Sequence, residues 1–215
     1  MMNLFDIVDS VNASKSHPST YSISMSFFEI YNEKAFDLIE VKKDQELPIR
    51  EINKKVVVCN LAEIKLSSFD DFDSTYSAKL KNRSTASTKL NARSSRSHAI
   101  LSINIVGRER KSPFKVTESR LSLIDLAGNE SNKLTDNSGQ RLTESSNINN
   151  SLFVLAKVVQ ALNEGATRIP YRDCKLTRIL QDSLGGTSVS VLIANVAPDT
   201  SHFFNTYNTL NFAAK

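Results

Sequence analysis

LSLIDLAGNE, residues 121–130, runs Leu, Ser, Leu and Ile into Asp125 and places Gly128 three positions later. An apolar strand that ends on a carboxylate and turns at a glycine carries that carboxylate to the rim of a sheet, where α/β proteins bind their ligands. The competing reading is a plain Asp-x-x-Gly turn that closes a strand. The rest of the chain has to choose between them.

Outward from that stretch, the pattern alternates between strand and helix. YSISMSFFEI (21–30) is aromatic-rich and loosely alternating, and HAILSINIV (98–106) puts Leu101, Ile103 and Ile105 on one face. SVSVLIANV (188–196) alternates and then becomes continuously apolar, as a strand covered on both faces would, and KKVVVCNL (54–61) is a weaker candidate. Residues 67–82 open with serines and acids and close with lysines, the polarity that a helix dipole favours. Residues 146–165 space Leu152, Leu155, Val159 and Leu162 along one stripe and stop at Gly165. Residues 173–186 run from an acid to a double glycine, and helix-like stretches also stand at 1–11 and 204–215. Such alternation predicts an α/β layered fold.

With 215 residues, 40% of them hydrophobic and 23% charged, the chain is long enough for a sizeable core and has no low-complexity tract. Its formal charge of +4 mildly favours an acidic partner. Cys59 and Cys174 lack the spacing of a metal site or a disulfide framework, so a reducing compartment is expected. The opening MMNLFDIVDS carries two acids and does not read as a signal peptide, and no apolar run reaches the roughly 18 residues that a membrane span needs. A soluble intracellular chain without a membrane partner is the expectation.

NARSSRSHAI (91–100) crowds hydroxyls and an arginine against the start of the 98–106 strand. Buried hydroxyls need partners, so the stretch is either a solvated loop or a site for an oxygen-rich, negatively charged ligand. In P-loop NTPases one segment closes over the γ-phosphate with hydroxyls and amides, and a second senses its loss. Asn91, Ser94 and Ser95 suit the first segment, and Asp125 with Gly128 suits the second. Arg96 and Glu130 are then a plausible latching ion pair. His98, a lone histidine at a strand start, reads as structural.

Together these stretches resemble a kinesin motor domain. SSRSH with the upstream Asn91 resembles that family's switch I (91–98), and DLAGNE resembles its switch II (125–130). NINNSLFVLAKVVQAL resembles the switch II helix (146–163), and IPYRDCKLTRILQDSLGG the microtubule-binding loop and following helix (169–186). FFEIYNEKAFDLI (27–39) and NTLNFAAK (208–215) match flanking family segments, so the likeness spans 1–215. INNSLFVLAKVVQALN and VLIANVAP look most like the chromokinesin, Kid-type branch.

The resemblance implies a kinesin-type P-loop NTPase fold, a central sheet with helices on both faces. It implies Mg-ATP as cofactor, with Asn91 and Ser94 near the γ-phosphate or attacking water, and Ser95 on Mg²⁺. Asp125 would stand behind the metal through water, Gly128 would bond the γ-phosphate, and Arg96 with Glu130 would form the closing salt bridge. Microtubules are the implied partner, met by Arg172, Lys175 and Arg178, with Lys133 adding to that face; a merely solvated basic face is the alternative. The resemblance implies a place in the cytoplasm, on the microtubule cytoskeleton or spindle, with the nucleus as a further location. Contact with chromosomes would lie beyond residue 215.

Several departures matter. The serine usual inside DLAGSE is Asn129, and the lysine of the INKSL stretch is Asn150. No G-x-x-x-x-G-K-[ST] phosphate loop occurs in these 215 residues. By resemblance residue 1 falls in the helix after that loop, so the N-terminal strands and phosphate loop are expected to be missing. The strands at 120–125 and 188–196 would then lack the strand between them, which predicts open edges and an unstable or aggregation-prone chain. A non-catalytic microtubule-binding module or a truncated product is therefore the alternative to an active ATPase. A small GTPase ranks below both, because NKLT (132–135) lacks the acid that reads guanine.

Overall fold

In the computed structural model, which describes residues 1–42, 45–85, 96–112, 114–128, 140–186 and 188–214, the chain forms two compact units. One comprises Met1–Pro48 with Val58–Gly128, the other Ile49–Val57 with Asn129–Lys215.

The first unit is organised by β1 (Ser19–Tyr31), whose side chains alternate across a sheet. β2 (Lys34–Asp37) and β5 (Ile64–Leu66) share one edge of β1, and β6 (His98–Glu109) runs along the other. β7 (Val116–Asp125) pairs with β6, so the order is β2-β1-β6-β7 and every described pairing in the sheet is antiparallel. Two helices, α1 (Met2–Ala13) and α2 (Phe69–Thr85), cover one face. Phe5 and Val8 of α1 and Phe72 of α2 meet Ile23, Met25, Phe27, Leu101 and Ile103, the odd-numbered row of β1 and β6. The Phe72 and Tyr76 rings stack 5.8 Å apart, and Tyr76 tilts against Phe27 at 5.6 Å. Full burial of each such side chain stabilises by about 1.5–3 kcal/mol.

The start of α2 is fixed as its sequence suggests. The Asp71 amide donates to the Ser68 hydroxyl at 3.1 Å, and the Ser67 amide and hydroxyl return bonds to the Asp71 carboxylate. Those bonds hold the Asp71 carboxyl below its ordinary pKa. Gly107 lies opposite Tyr21 in the β1–β6 register, where an added Cβ would stand 2.7 Å from the Tyr21 ring. The glycine leaves room for the ring to lie across the strand.

The second unit contains a hairpin of β3 (Ile49–Ile52) and β4 (Lys55–Val58), then α3 (Gln140–Asn163), α4 (Lys175–Leu184) and α5 (Phe203–Ala213). α3 ends in a left-handed cap: Gly165 has φ +65°, its amide bonds the Leu162 carbonyl, and the Ala166 amide bonds the Ala161 carbonyl. Leu176, Thr177 and Leu180 form the buried stripe of α4. No described helix is long and apolar enough to cross a membrane.

Residues 188–196 correct the sequence reading. They form no strand, and Val189, Val191 and Ile193 are 94%, 83% and 80% exposed. Alternating apolar residues give a strand only where a neighbour supplies the ladder, and none does so among the described residues. The Ser188 and Ser190 hydroxyls instead donate to the carbonyls of Asp182 and Ser183, at 3.1 and 2.7 Å.

Candidate functional site

Three elements of the first unit converge where β7 ends. Asp125 stands opposite Ala99 of β6, and Ala99 stands opposite Glu29 of β1, so Glu29, Ala99 and Asp125 form one row across the sheet. Glu29 is 1% exposed. The last turn of α2 delivers Arg83 to this row, where the guanidinium is buried, as a lone charge would not be. Its Nη1 donates to Asp125 Oδ2 at 2.6 Å and its Nη2 to the Ser97 carbonyl at 3.1 Å. One cation therefore ties α2, the entry to β6 and the end of β7. The Asp125 side chain nevertheless remains 68% exposed, fixed from one flank and open on the other.

His98 supports the turn that follows. Its Nδ1 accepts a 3.0 Å bond from the Ala127 amide, so the neutral ring carries its proton on Nε2. Burial, then the Arg83 charge, hold the His98 pKa down to about 4 from 6.5, against the opposing pull of Asp125. Ala127 is itself buried, and the chain surfaces again at Gly128. The histidine is thus a structural anchor for the Asp125–Gly128 turn, as its position at a strand start suggested.

Of the residues singled out from sequence, the structure brings Asp125 to the sheet rim with Gly128 beyond it, and sets Arg96 half-buried directly before Ser97 and His98. Asn91, Ser94, Ser95, Glu130 and Lys133, and Asn129 with them, lie outside the described residues. The pairing of Arg96 with Glu130 is therefore not part of the observed geometry. Arg83 went unrecognised because it reads as one more basic residue at a helix C-terminus. Its only sequence signal was position: a single arginine at the end of a helix whose other late cations are lysines.

The basic surface lies in the second unit. Tyr171–Asp173 form a 3-10 turn, and Cys174 caps α4, its sulfur accepting the Thr177 amide at 3.4 Å. The Thr177 hydroxyl bonds the Tyr171 carbonyl at 2.9 Å and locks turn to helix. Arg172 is exposed, while Lys175 and Arg178 are half-buried on the same short span. Arg172 Nη2 meets Glu51 Oε2 of β3 at 2.8 Å, and Asp182 Oδ2 accepts the Val56 amide of β4 at 3.4 Å. The hairpin thus packs on the basic segment and partly neutralises it, a relation that sequence spacing cannot reveal.

The family model described as the kinesin motor domain matches residues 1–215. Kinesin-like protein KIF22 of Xenopus tropicalis is 54% identical over 197 residues, covering 91% of this chain and 31% of that protein. KIF22 of Mus musculus is 47% identical over 216 residues, covering 100% of this chain and 32% of that protein. The chain thus spans about a third of the length of these curated relatives. Among solved structures, KIF14 as a two-heads-bound dimer with AMP-PNP on a microtubule matches with a TM-score of 0.85 and 35% identity, covering 99% of this chain and 61% of that one. The structure of a fast kinesin matches with a TM-score of 0.84 and 37% identity, covering 98% and 60%.

Proposed function

From the premise that this chain belongs to the kinesin motor domain family, we propose that it is part of an ATP-driven microtubule motor of the KIF22, Kid-type kind. The observation that carries the nucleotide half is the Arg83–Asp125 pair: a carboxylate fixed in direction by a buried guanidinium and 68% exposed on its other flank suits a metal-bound water. A magnesium ion keeps several waters and leans on phosphates and one or two carboxylates, a demand that one exposed carboxylate can meet. When bound, Mg²⁺ neutralises charge on the β- and γ-phosphates. In this reading Ser95 holds the metal directly and Asp125 does so through water. Asn91 and Ser94 approach the γ-phosphate or the attacking water, Gly128 bonds the γ-phosphate, and Arg96 with Glu130 closes the site, a catalysis of positioning and electrostatics.

Residues 91–98 and 125–130 serve as the two switches, 146–163 as the helix that relays them, and 169–186 as the filament-facing segment with Arg172, Lys175, Arg178 and Lys133. The acidic surface of tubulin is its partner, held with salt-sensitive strength. The microtubule cytoskeleton, including the spindle, is its place of action, and chromosome contact belongs to other regions of a longer protein. A second reading is a microtubule-binding module without its own hydrolysis.

Co-sedimentation with microtubules, with and without Mg-ATP, separates the two. A bound fraction that changes with nucleotide supports the motor reading, an unchanged one the module, and no pelleting by a folded chain removes both. Within the same assay Glu51→Gln releases Arg172 from its carboxylate and should tighten binding about two- to fivefold at low salt, an effect that fades as salt rises. Arg172→Ala should weaken binding under the same conditions. If Glu51→Gln changes nothing while Arg172→Ala weakens binding, the ion pair does not temper the surface.

A further inference from the structure

Among the described residues one carboxylate and one guanidinium are buried, those of Glu29 and Arg83. The carboxylate that Arg83 bonds is a different one, Asp125, whose side chain stands mostly in water. An exposed carboxylate balances a buried cation poorly, because water screens it, and a charge left uncompensated in a core is strongly destabilising. Arg83 starts from the β1 side of the sheet. There Lys79 Nζ donates to the Ile39 carbonyl at 3.0 Å and Asn82 Nδ2 to the Leu38 carbonyl at 2.7 Å, and the Leu38 amide bonds the Phe27 carbonyl of β1 at 2.9 Å. From the position after Asn82, the guanidinium reaches the Ser97 carbonyl before β6 and Asp125 at the end of β7. Its path therefore crosses the row formed by Glu29, Ala99 and Asp125. The middle member carries only a methyl group, which leaves the lane between the two carboxylates open. Glu29 shares the face of Phe27, the face that α2 covers.

We infer that Glu29 is the buried counter-charge of Arg83 and a positioning residue for the site. It holds the guanidinium in place whether or not Asp125 is bonded to it, so that Asp125 is free to turn toward a metal-bound water. What Asp125 turns to rests on the motor reading above; the Glu29–Arg83 pairing does not. With two carboxylates flanking one cation, Asp125 exchanges partners without stranding a buried charge, whereas a lone pair would have to break outright. Glu29, 1% exposed, is then the permanent partner, and Asp125, 68% exposed, the exchangeable one. The same division explains why a carboxylate stands inside an otherwise apolar row: it fixes a cation whose other contacts lie at the sheet rim.

In urea titration of the 215-residue chain, Glu29→Gln and Arg83→Met should each raise the unfolding constant about a hundredfold. The double variant should lie within about tenfold of Arg83→Met, since neither charge is then left alone; independent losses would multiply to about ten-thousandfold. The positioning readout is the Arg83 Nε–H signal in the magnetic resonance spectrum of a chain carrying isotope-labelled arginine, identified by its loss in Arg83→Met. Its exchange with water should stay within about threefold of wild type in Asp125→Asn, and quicken about tenfold or more in Glu29→Gln, where Asp125 is intact. Losses that multiply in the double variant, or exchange that follows Asp125 rather than Glu29, overturn the inference. Where Glu29→Gln alone does not fold, the double variant should; its failure to fold beside a folded Arg83→Met overturns the inference as well. None of these readouts needs nucleotide or filament. Coupling between Glu29 and Arg83 in a chain whose microtubule binding ignores Mg-ATP removes the motor reading and keeps the pair, and a nucleotide response without coupling does the reverse.

Discussion

Arg83→Met is expected to lower the free energy of unfolding by about 3 kcal/mol. The methionine keeps most of the buried stem but removes the bonds to Asp125 and the Ser97 carbonyl. A hydrogen bond from a charged donor to a neutral carbonyl contributes about 1.5–3 kcal/mol, and the Ser97 carbonyl loses one. The bond to Asp125 adds less, because that side chain is 68% exposed and water can replace its partner. Urea titration at pH 7.5 is the measurement, with the midpoint falling and the slope unchanged. Arg83→Lys should recover only part of the loss, since a single ammonium lacks the planar fork that reaches both acceptors. A variant within about 0.5 kcal/mol of wild type would mean that the guanidinium does not tie the three elements together.

The second large effect is a dependence on pH set by His98. Its pKa lies near 4 in the folded chain against 6.5 for an unperturbed ring. Above pH 6.5 both folded and unfolded chains hold a neutral imidazole, and its contribution to stability is complete. As pH falls through the window from 6.5 toward 4, the unfolded chain takes up a proton that the folded chain refuses, so stability declines. Between pH 7.5 and 5 the loss should be about 2 kcal/mol, read as a falling urea midpoint. His98→Gln, whose side-chain carbonyl can still accept the Ala127 amide, should flatten the dependence by that amount. Arg83→Met should shrink it as well, because the Arg83 charge is one of the two causes that hold the ring neutral. An unchanged pH profile in His98→Gln would place the dependence elsewhere.

Much of this architecture was legible because long strands and amphipathic helices write their period into the sequence. β1 and β6 fall within three residues of the expected ends, and the serine cap and late cations of α2 are where helix chemistry puts them. β7 begins at Val116 rather than 120, because Val116–Ser119 pair through backbone while their side chains carry no alternating signal. β2, β3 and β5 have three or four residues each, too few for a period to register. Their hairpins were hidden for a further reason. The two-residue turns Asn32-Glu33 and Asn53-Lys54 take positive φ at both positions without glycine. At 188–196 the pattern was clear and the strand is absent, since side-chain period cannot report whether a neighbour exists to complete a ladder. The candidate site was marked in the sequence only by motifs, Asp125 and Gly128 among them, and its geometry was not: Arg83 lies 42 positions from Asp125 and has no motif of its own.

The β1–β6 ladder also governs how the first unit assembles in time. Ile23 of β1 pairs with Ile105 of β6, 82 positions away, whereas Tyr31 meets Lys34 across a two-residue turn and Arg108 meets Val116 across a short connection. The β1–β2 and β6–β7 pairs can therefore form in microseconds from local sequence, while their union must wait for a long loop to close. Docking of the two hairpins is the step at which the barrier is expected, and Met25 opposite Ile103 lies on the seam that forms there. Ile103→Val should accordingly slow refolding in a stopped-flow chevron more than it speeds unfolding; the reverse would put that contact after the barrier. Until the two hairpins meet, each exposes an apolar face, so the speed of this one event sets how long the unit stays open to aggregation.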